Sequence, residues 1–286
     1  YFLLVASVLN IGLDLLCIIV FKMGVFGASF ATVFSQAVAG FGSLWYIARH
    51  YHELRWSKEE GKLSRDHCLK LCNMGIPMGL QCSITAIGSV VLQGAVNGLG
   101  SDIVAAQTAG GKAAQFLSVP LESIGTAMTT YASQNMGARR YDNLDRVMRN
   151  CLLCAVVVGI VLGGGAYLAG EGLLHFYSTD ETVVAAGLAR MKVICTSYFL
   201  CGIMDTLASC LRGRGYSVLP MIVSLVGSCL LRLVWIATIF QLFRSTTTLY
   251  ISYPISWLLT ASVHLACLLV VRHKMNNAGQ PAKIAA

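Results

Sequence analysis

The sequence predicts an all-α integral membrane protein with eight spanning helices. Three observations carry this expectation. The 286 residues are 56% hydrophobic and only 12% charged, with a mean hydropathy of +0.68, whereas a soluble domain carries about 25% charged residues. The apolar stretches each run to around twenty residues or longer, the length of a spanning helix rather than a barrel strand. Basic residues gather in alternate connecting segments, as the positive-inside rule requires of a threaded chain.

The first run, YFLLVASVLNIGLDLLCIIV, is nearly continuous and predicts a helix over residues 1–22. It lacks an initiator Met and a flanking charge, which predicts truncation at the N-terminus. It is not a signal peptide, because it has no basic start and a second span follows at once. A carboxylate, Asp14, sits in its middle. An ionisable group inside an apolar span is costly and marks a functional site by default. Asn10 lies four residues earlier, on the same helical face.

The chain turns at KMGVFG and re-enters a second run over 26–49 that carries Thr32. Asp14 lies eight residues before Lys22, about 12 Å of helix, and Thr32 five past Gly27, about 8 Å. In an antiparallel hairpin these depths roughly match. Two arrangements fit the spacing. In one, carboxylate, amide and hydroxyl converge as oxygen ligands for sodium, or as a proton site. In the other, Asp14 is paired and buried while Asn10 and Thr32 cap backbone groups.

Residues 50–69 form the longest polar stretch and read as a partly helical cytoplasmic connector and domain boundary. The third run, 70–98, holds Pro77, Gln81, Thr85, Gln93 and Asn97. The fourth, 103–137, is the most polar, with Gln107, Gly110, Gly111, Lys112, Gln115, Pro120 and Glu122. Pro120 removes a backbone hydrogen bond and predicts a kink. Lys112 and Glu122, ten residues apart, cannot pair within one straight helix. Each lines a cavity or, for Lys112, snorkels to the interface.

The fifth run, 148–170, contains GIVLGGGAYLAG, whose small residues suit close helix packing. The sixth, 184–211, carries Arg190 and Lys192 near one end and Asp205 near the other. Arg212 and Arg214 follow within a turn or two, so Asp205 is either their structural partner or a transport group. The seventh, 218–242, places Arg232 in mid-membrane, to be neutralised by Asp205 or a cavity anion. The eighth, 247–271, has a second kink signal at Tyr253-Pro254.

The basic loops hold Arg49, Arg55, Lys58, Lys62, Arg65 and Lys70, then Arg139, Arg140, Arg146 and Arg149, then Arg212 and Arg214, then Arg272, Lys274 and Lys283. The opposite loops hold Lys22 and Arg244, fifteen against two. The basic side is therefore read as cytoplasmic, which puts both ends of the chain there. The net charge of +8 is largely this orientation signal and calls for no nucleic acid. The eleven cysteines show no zinc-ligand spacing; Cys151 and Cys154 form the one CxxC, and packing is their expected role. No HExxH, GxSxG or Walker loop is present, and the six histidines sit mostly in loops, which argues against an enzyme.

A weak internal repeat aligns VASVLNIGLD (5–14) with VGSCLLRLVW (226–235). Asp14 then falls opposite Trp235. Repeats are common in secondary transporters. On this reading residues 70–286 are one six-helix half, and 1–49 are the last two helices of the other.

The stretches LNIGLDLLCIIVFKMGVFGASFATVFSQ, GIPMGLQ, NGLGSDIVAAQTAGGKAAQF, SQNMGARRYD and LRGRGYSVLP resemble the MATE family, for multidrug and toxic compound extrusion. The resemblance runs from Tyr1 to about Arg272. It implies a twelve-helix, two-lobe transporter with pseudo-symmetric six-helix halves, of which this chain resembles helices five to twelve. It also implies a cation site built from an acid on the first helix, an Asn and Asp four apart on the fifth and a Thr on the sixth. The matching positions here are Asn10, Asp14 and Thr32. Some members add acids on the seventh and tenth helices, where this chain has Thr85 and Cys201.

The resulting expectation is a secondary antiporter in the plasma (inner) membrane. It would export organic, cationic, drug-like compounds by alternating access, with Na+ or H+ as coupling ion and no cofactor. The candidate cavity residues are Gln81, Thr85, Asn97, Gln107, Lys112, Glu122, Asp205 and Arg232. The expected partners are a small-molecule substrate and the lipid bilayer, with no nucleic acid, and the protein is expected to be a monomer. The rival is a flippase for lipid-linked saccharides or other lipids in the same broad superfamily, whose cavity would be more cationic.

Overall fold

The computed structural model describes residues 1–51 and 64–277. Arg55, Lys58, Lys62, Lys283, His52 and most of the expected connector 50–69 lie outside the described residues. All regular structure among the described residues is helical. The chain divides into two compact units, Tyr1–His67 and Cys68–Ala286.

The first unit is a helical hairpin. Helix α1 spans Phe2–Leu15 and runs on through a π-helical turn at Leu16–Val20; α2 spans Gly24–His50. The turn between them needs left-handed backbone at Lys22 (φ 53°) and Gly24 (φ 56°). The hairpin closes on a stripe of small residues, Gly27, Ala31, Ser35 and Ala39, one per turn of α2 and all buried. Small side chains let the backbones approach, the usual basis of helix association in lipid. Leu3, Leu4, Val8, Ile11, Ile18 and Ile19 point outward, which suits a helix whose surroundings are apolar.

The second unit begins with α3 (Arg65–Asn97), α4 (Ser101–Gly137) and α5 (Asp142–Leu168). A short α6 (Gly170–His175) leads to α7 (Glu181–Ile194) and α8 (Tyr198–Gly213). The expected seventh run is α9 (Val218–Ser224), a π-helical segment at Leu225–Leu230, α10 (Leu231–Ala237) and α11 (Ile239–Leu242). The unit ends with α12 (Thr246–Asn277). Helix α8 is central and packs on α4, α5 and α12. Leu121, Tyr198, Met191 and Trp257 fill one end of the core, and Met128, Leu144, Leu211 and Leu268 the other.

The sixth run, expected as one helix over 184–211, is broken. Helices α7 and α8 meet at 46° across Cys195–Ser197. The cause is local. Thr196 Oγ1 donates to the Lys192 carbonyl at 2.5 Å and Ser197 Oγ to the Val193 carbonyl at 2.6 Å, and such back-bonds bend helices. The amides of Tyr198 and Leu200 then take i−3 carbonyls, at 3.2 and 3.0 Å. Helix α5 fits this bend with glycine. A Cβ on Gly159 would stand 2.6 Å from Phe199 Cα, and one on Gly163 would strike the Cys195 carbonyl oxygen. The packing role expected of GIVLGGG is therefore specific to two of its positions. By contrast, α4 runs unbroken through Pro120.

By length and composition, six helices among the described residues can cross a membrane, or seven if α7 and α8 make one bent span. Helix α4 has 37 residues, ample length, but its polar content keeps it out of that group. At the end where α5 begins, Asp145 takes Arg272 Nη2 at 2.7 Å and Arg214 Nη2 at 3.7 Å. One carboxylate thus ties the ends of α8 and α12 to the start of α5.

Candidate functional site

In the first unit, α1 and α2 bring Asn10 and Thr32 together. Asn10 Nδ2 donates to Thr32 Oγ1 at 3.5 Å, a long hydrogen bond. Thr32 Oγ1 has already given its own proton to the Ala28 carbonyl at 2.9 Å. Its lone pairs therefore remain for acceptance. Asn10 presents its nitrogen to Thr32, so its Oδ1 is also free. Asp14 lies one turn along the same face of α1, and its Oδ1 is buried without a hydrogen-bond partner. A buried carboxylate oxygen left unpaired costs free energy unless something neutralises it. The three side chains supply oxygens alone, the donor set of a hard cation. Two residues past Asp14 the helix becomes π-helical, with Phe21 N–H reaching the Leu16 carbonyl at 3.0 Å, a departure that often marks functional sites.

In the second unit the remaining candidates do not form one cluster. Lys112, Glu122, Thr85 and Asn97 are exposed on their helices. Asn97 Oδ1 accepts from Gln93 Nε2 at 3.0 Å, and Thr85 Oγ1 donates to the Gln81 carbonyl at 2.7 Å, both within α3. Gln81 Oε1 accepts from Arg212 Nη2 at 3.0 Å, joining α3 to the end of α8. Gln107 Oε1 accepts from Arg190 Nε at 2.7 Å, joining α4 to α7.

Asp205 is half-buried against α4. A Cβ on Gly125 would lie 2.5 Å from its Oδ2 and 3.0 Å from Ser209 Oγ, so a methyl there would push both side-chain ends aside. The expected pairing with Arg212 or Arg214 is not what the chain does. Arg212 goes to Gln81, Arg214 goes to Asp145, and Asp205 has no cation within ion-pair distance among the described residues.

For Arg232, one of the two expected neutralisers is not in place among the described residues. Asp205 does not neutralise it. Its Nε donates to Ser256 Oγ at 3.0 Å, and its guanidinium carbon lies 4.2 Å from the Tyr253 ring centroid and 5.8 Å from that of Trp257. Both rings fall within cation–π range. Tyr253, Ser256 and Trp257 share one face of α12 by their i, i+3, i+4 spacing. That spacing was readable; which helix it faced was not. His264, fully buried with Nε2 3.2 Å from Ser224 Oγ, carried no sequence signal beyond its place in an apolar run.

Among the described residues, no three His, Cys, Asp or Glu side chains gather into a metal cluster. Any ion in the first unit would be held by the mixed amide, hydroxyl and carboxylate oxygens.

The molecule is similar to known transporters. Over 96% of its length it superposes on a MATE protein crystallised in complex with MaL6, with TM-score 0.88 and 17% identity, covering 63% of that chain. It superposes equally on an outward-facing multidrug resistance MATE family transporter of the MOP superfamily, with TM-score 0.86 and 18% identity, covering 96% of this chain and 62% of the other. In sequence it is 25% identical over 232 residues to the probable multidrug resistance protein YoeA of Bacillus subtilis, which is 79% of this chain and 50% of that protein. The chain thus spans about half the length of the curated relatives it matches. The MatE family model matches residues 77–238, more than half of the sequence, and on that match the chain belongs to the MATE family.

Proposed function

We propose that this chain is part of a secondary antiporter that exports organic, cationic, drug-like compounds in exchange for sodium or protons. The observation that carries the proposal is the buried, unpartnered Oδ1 of Asp14 beside the Asn10–Thr32 pair. The name of YoeA, a multidrug resistance protein, supports drug export as the activity. A coupling ion moves a transporter by binding one of its two states more tightly than the other. A single carboxylate among neutral oxygens can do this for either ion, by protonation or by coordination.

In this reading α4 is a spanning helix, polar because it lines the transport route. With α7 and α8 as one bent span, eight helices then cross the plasma membrane, with both ends of the chain cytoplasmic. Residues 1–49 would supply the last two helices of an N-terminal lobe, 50–69 a cytoplasmic connector and 70–286 a six-helix C-terminal lobe of a monomeric, twelve-helix transporter.

The test is dye efflux from proteoliposomes holding the full transporter under an imposed sodium or proton gradient. Efflux of a cationic dye driven by one gradient supports the reading and names the ion. Transport of a lipid-linked saccharide, with no cationic dye moved under either gradient, would overturn it in favour of a flippase.

A further inference from the structure

The second unit holds a buried cation with no counter-charge. Arg190, on α7, is 5% exposed. Its Nε donates to a neutral acceptor, Gln107 Oε1. Its Nη1 is buried and has no hydrogen-bond partner. Arginine does not lose its proton in proteins, so the charge cannot be discharged by titration. A buried, unpaired charge is among the most expensive features a fold can carry.

Of the other buried or half-buried arginines, Arg212 also has a glutamine acceptor, Gln81, but is less buried, while two gain a carboxylate or aromatic faces. Arg214 lies near Asp145, which also binds Arg272. Arg232 lies over the faces of Tyr253 and Trp257 and bonds Ser256. Arg190 has neither arrangement: no carboxylate lies within ion-pair distance of it among the described residues.

A second orphan stands nearby. Tyr250, on α12, is 1% exposed, and its hydroxyl is buried without a partner. Helices α4 and α12 both pack on α7, and Arg190 is the cation whose field reaches the Tyr250 hydroxyl. The guanidinium lies over Gly110, where a Cβ would come within 2.9 Å of Nη1, so glycine leaves it room. Because an arginine can only donate, the Gln107 oxygen must face it, and the Gln107 amide nitrogen remains a further donor. Two buried donors, the guanidinium Nη1 and the Tyr250 hydroxyl, are therefore unmet, and the Gln107 amide is one more donor beside the charge. The missing partner is an acceptor carrying negative charge. A partner that reaches the buried Nη1 and the buried Tyr250 hydroxyl through this packing must be small.

We infer that Arg190, Tyr250 and Gln107 form a binding site for a small monovalent anion, chloride in the first instance, locked between α4, α7 and α12. The ion would neutralise the guanidinium and act as a structural tie at the α7 side of the α7–α8 bend. The inference does not rest on the transport reading; it follows from the unmet donors alone.

The test uses the full transporter in detergent. Thermal midpoints are followed as chloride replaces gluconate at constant ionic strength, for the wild type, Arg190→Met and Tyr250→Phe. The wild type is expected to rise saturably with chloride. Tyr250→Phe, which removes only a hydroxyl, is expected to need about tenfold more chloride for the same shift; Arg190→Met should lose the response. Bromide-soaked wild-type crystals should show an anomalous peak within hydrogen-bond distance of Arg190 Nη1. A wild-type midpoint indifferent to chloride, a chloride response unchanged in both variants, or ordered water alone at Nη1 would each overturn the inference.

Discussion

Asp14 and Arg232 show two ways of placing a charge in an apolar helix. Asp14 keeps an oxygen unpaired beside two neutral side chains, as a group that must exchange its partner would. Arg232 is held on aromatic faces and a hydroxyl. An ammonium cannot reproduce both the flat stack and the Nε bond. Arg232→Lys should therefore lower stability by about 1–3 kcal/mol, read as a fall in the denaturation midpoint of the purified protein. An unchanged midpoint would show that the stack carries no weight. A third charge lies outside the spans. Asp180 caps α7: its Oδ1 accepts the Thr182 hydroxyl at 2.8 Å and the Thr182 N–H at 2.9 Å. These bonds, the hydroxyl foremost, hold its carboxyl below the usual aspartate range. Its contribution to the helix start is thus present above the ordinary aspartate pKa and is lost only as pH falls through the lowered value. Thr182→Val should move that loss to higher pH, seen as earlier opening of the 181–185 amides in hydrogen exchange corrected for intrinsic rate. Identical pH profiles for variant and wild type would refute the cap.

At the scale of elements, the α7–α8 bend and the α5 surface beneath it are one feature. The bend exists because Thr196 and Ser197 bond back to their own helix, and α5 meets it with glycines at 159 and 163. Gly164 and Gly165 have open space where a Cβ would go. Two neighbouring substitutions should then behave oppositely. Gly163→Ala forces a methyl onto a backbone oxygen and should destabilise by about 1–3 kcal/mol or more. Gly164→Ala meets nothing and should be neutral or stabilising by up to about 1 kcal/mol. Thermal unfolding of the two variants side by side decides it; equal effects would mean the small-residue stripe acts as a whole. The bend itself was hidden in the sequence. Averaged hydropathy reads CTS as a mildly apolar triplet, while the break depends on two hydroxyls choosing their own carbonyls. The seventh run was read at 218–242, but its irregularities were hidden likewise: the π-helical segment and the break at Thr238, whose hydroxyl donates to the Val234 carbonyl at 2.7 Å, leave the apolar content intact.

Across the whole molecule, what could be read was what depends on short distances along the chain. Helical segments follow from composition over about twenty residues. Helical rise and one tight turn set Asp14 near the depth of Thr32, whereas the hydrogen bond to Thr32 comes from Asn10, one turn further along α1. Contacts set by the packing of distant helices could not be read: Arg232 with α12, Arg212 with Gln81 and Arg214 with Asp145 each need a register that the chain alone does not state. The internal repeat expected from the sequence makes the same point. Opposite Asp14 it places Trp235, whose Nε1 donates to the Thr248 carbonyl at 3.0 Å. Where one segment carries an unpaired acid, its counterpart carries a satisfied indole.

The account turns on Asp14, so the decisive measurement is ion-coupled efflux by Asp14→Asn beside wild type. It would use the full transporter at equal insertion, with binding of the same dye measured in parallel. The amide keeps the shape and removes the charge. The account predicts that gradient-driven efflux falls to the level of empty liposomes while dye binding persists. Efflux that still follows the gradient in Asp14→Asn would contradict it and place the coupling site elsewhere.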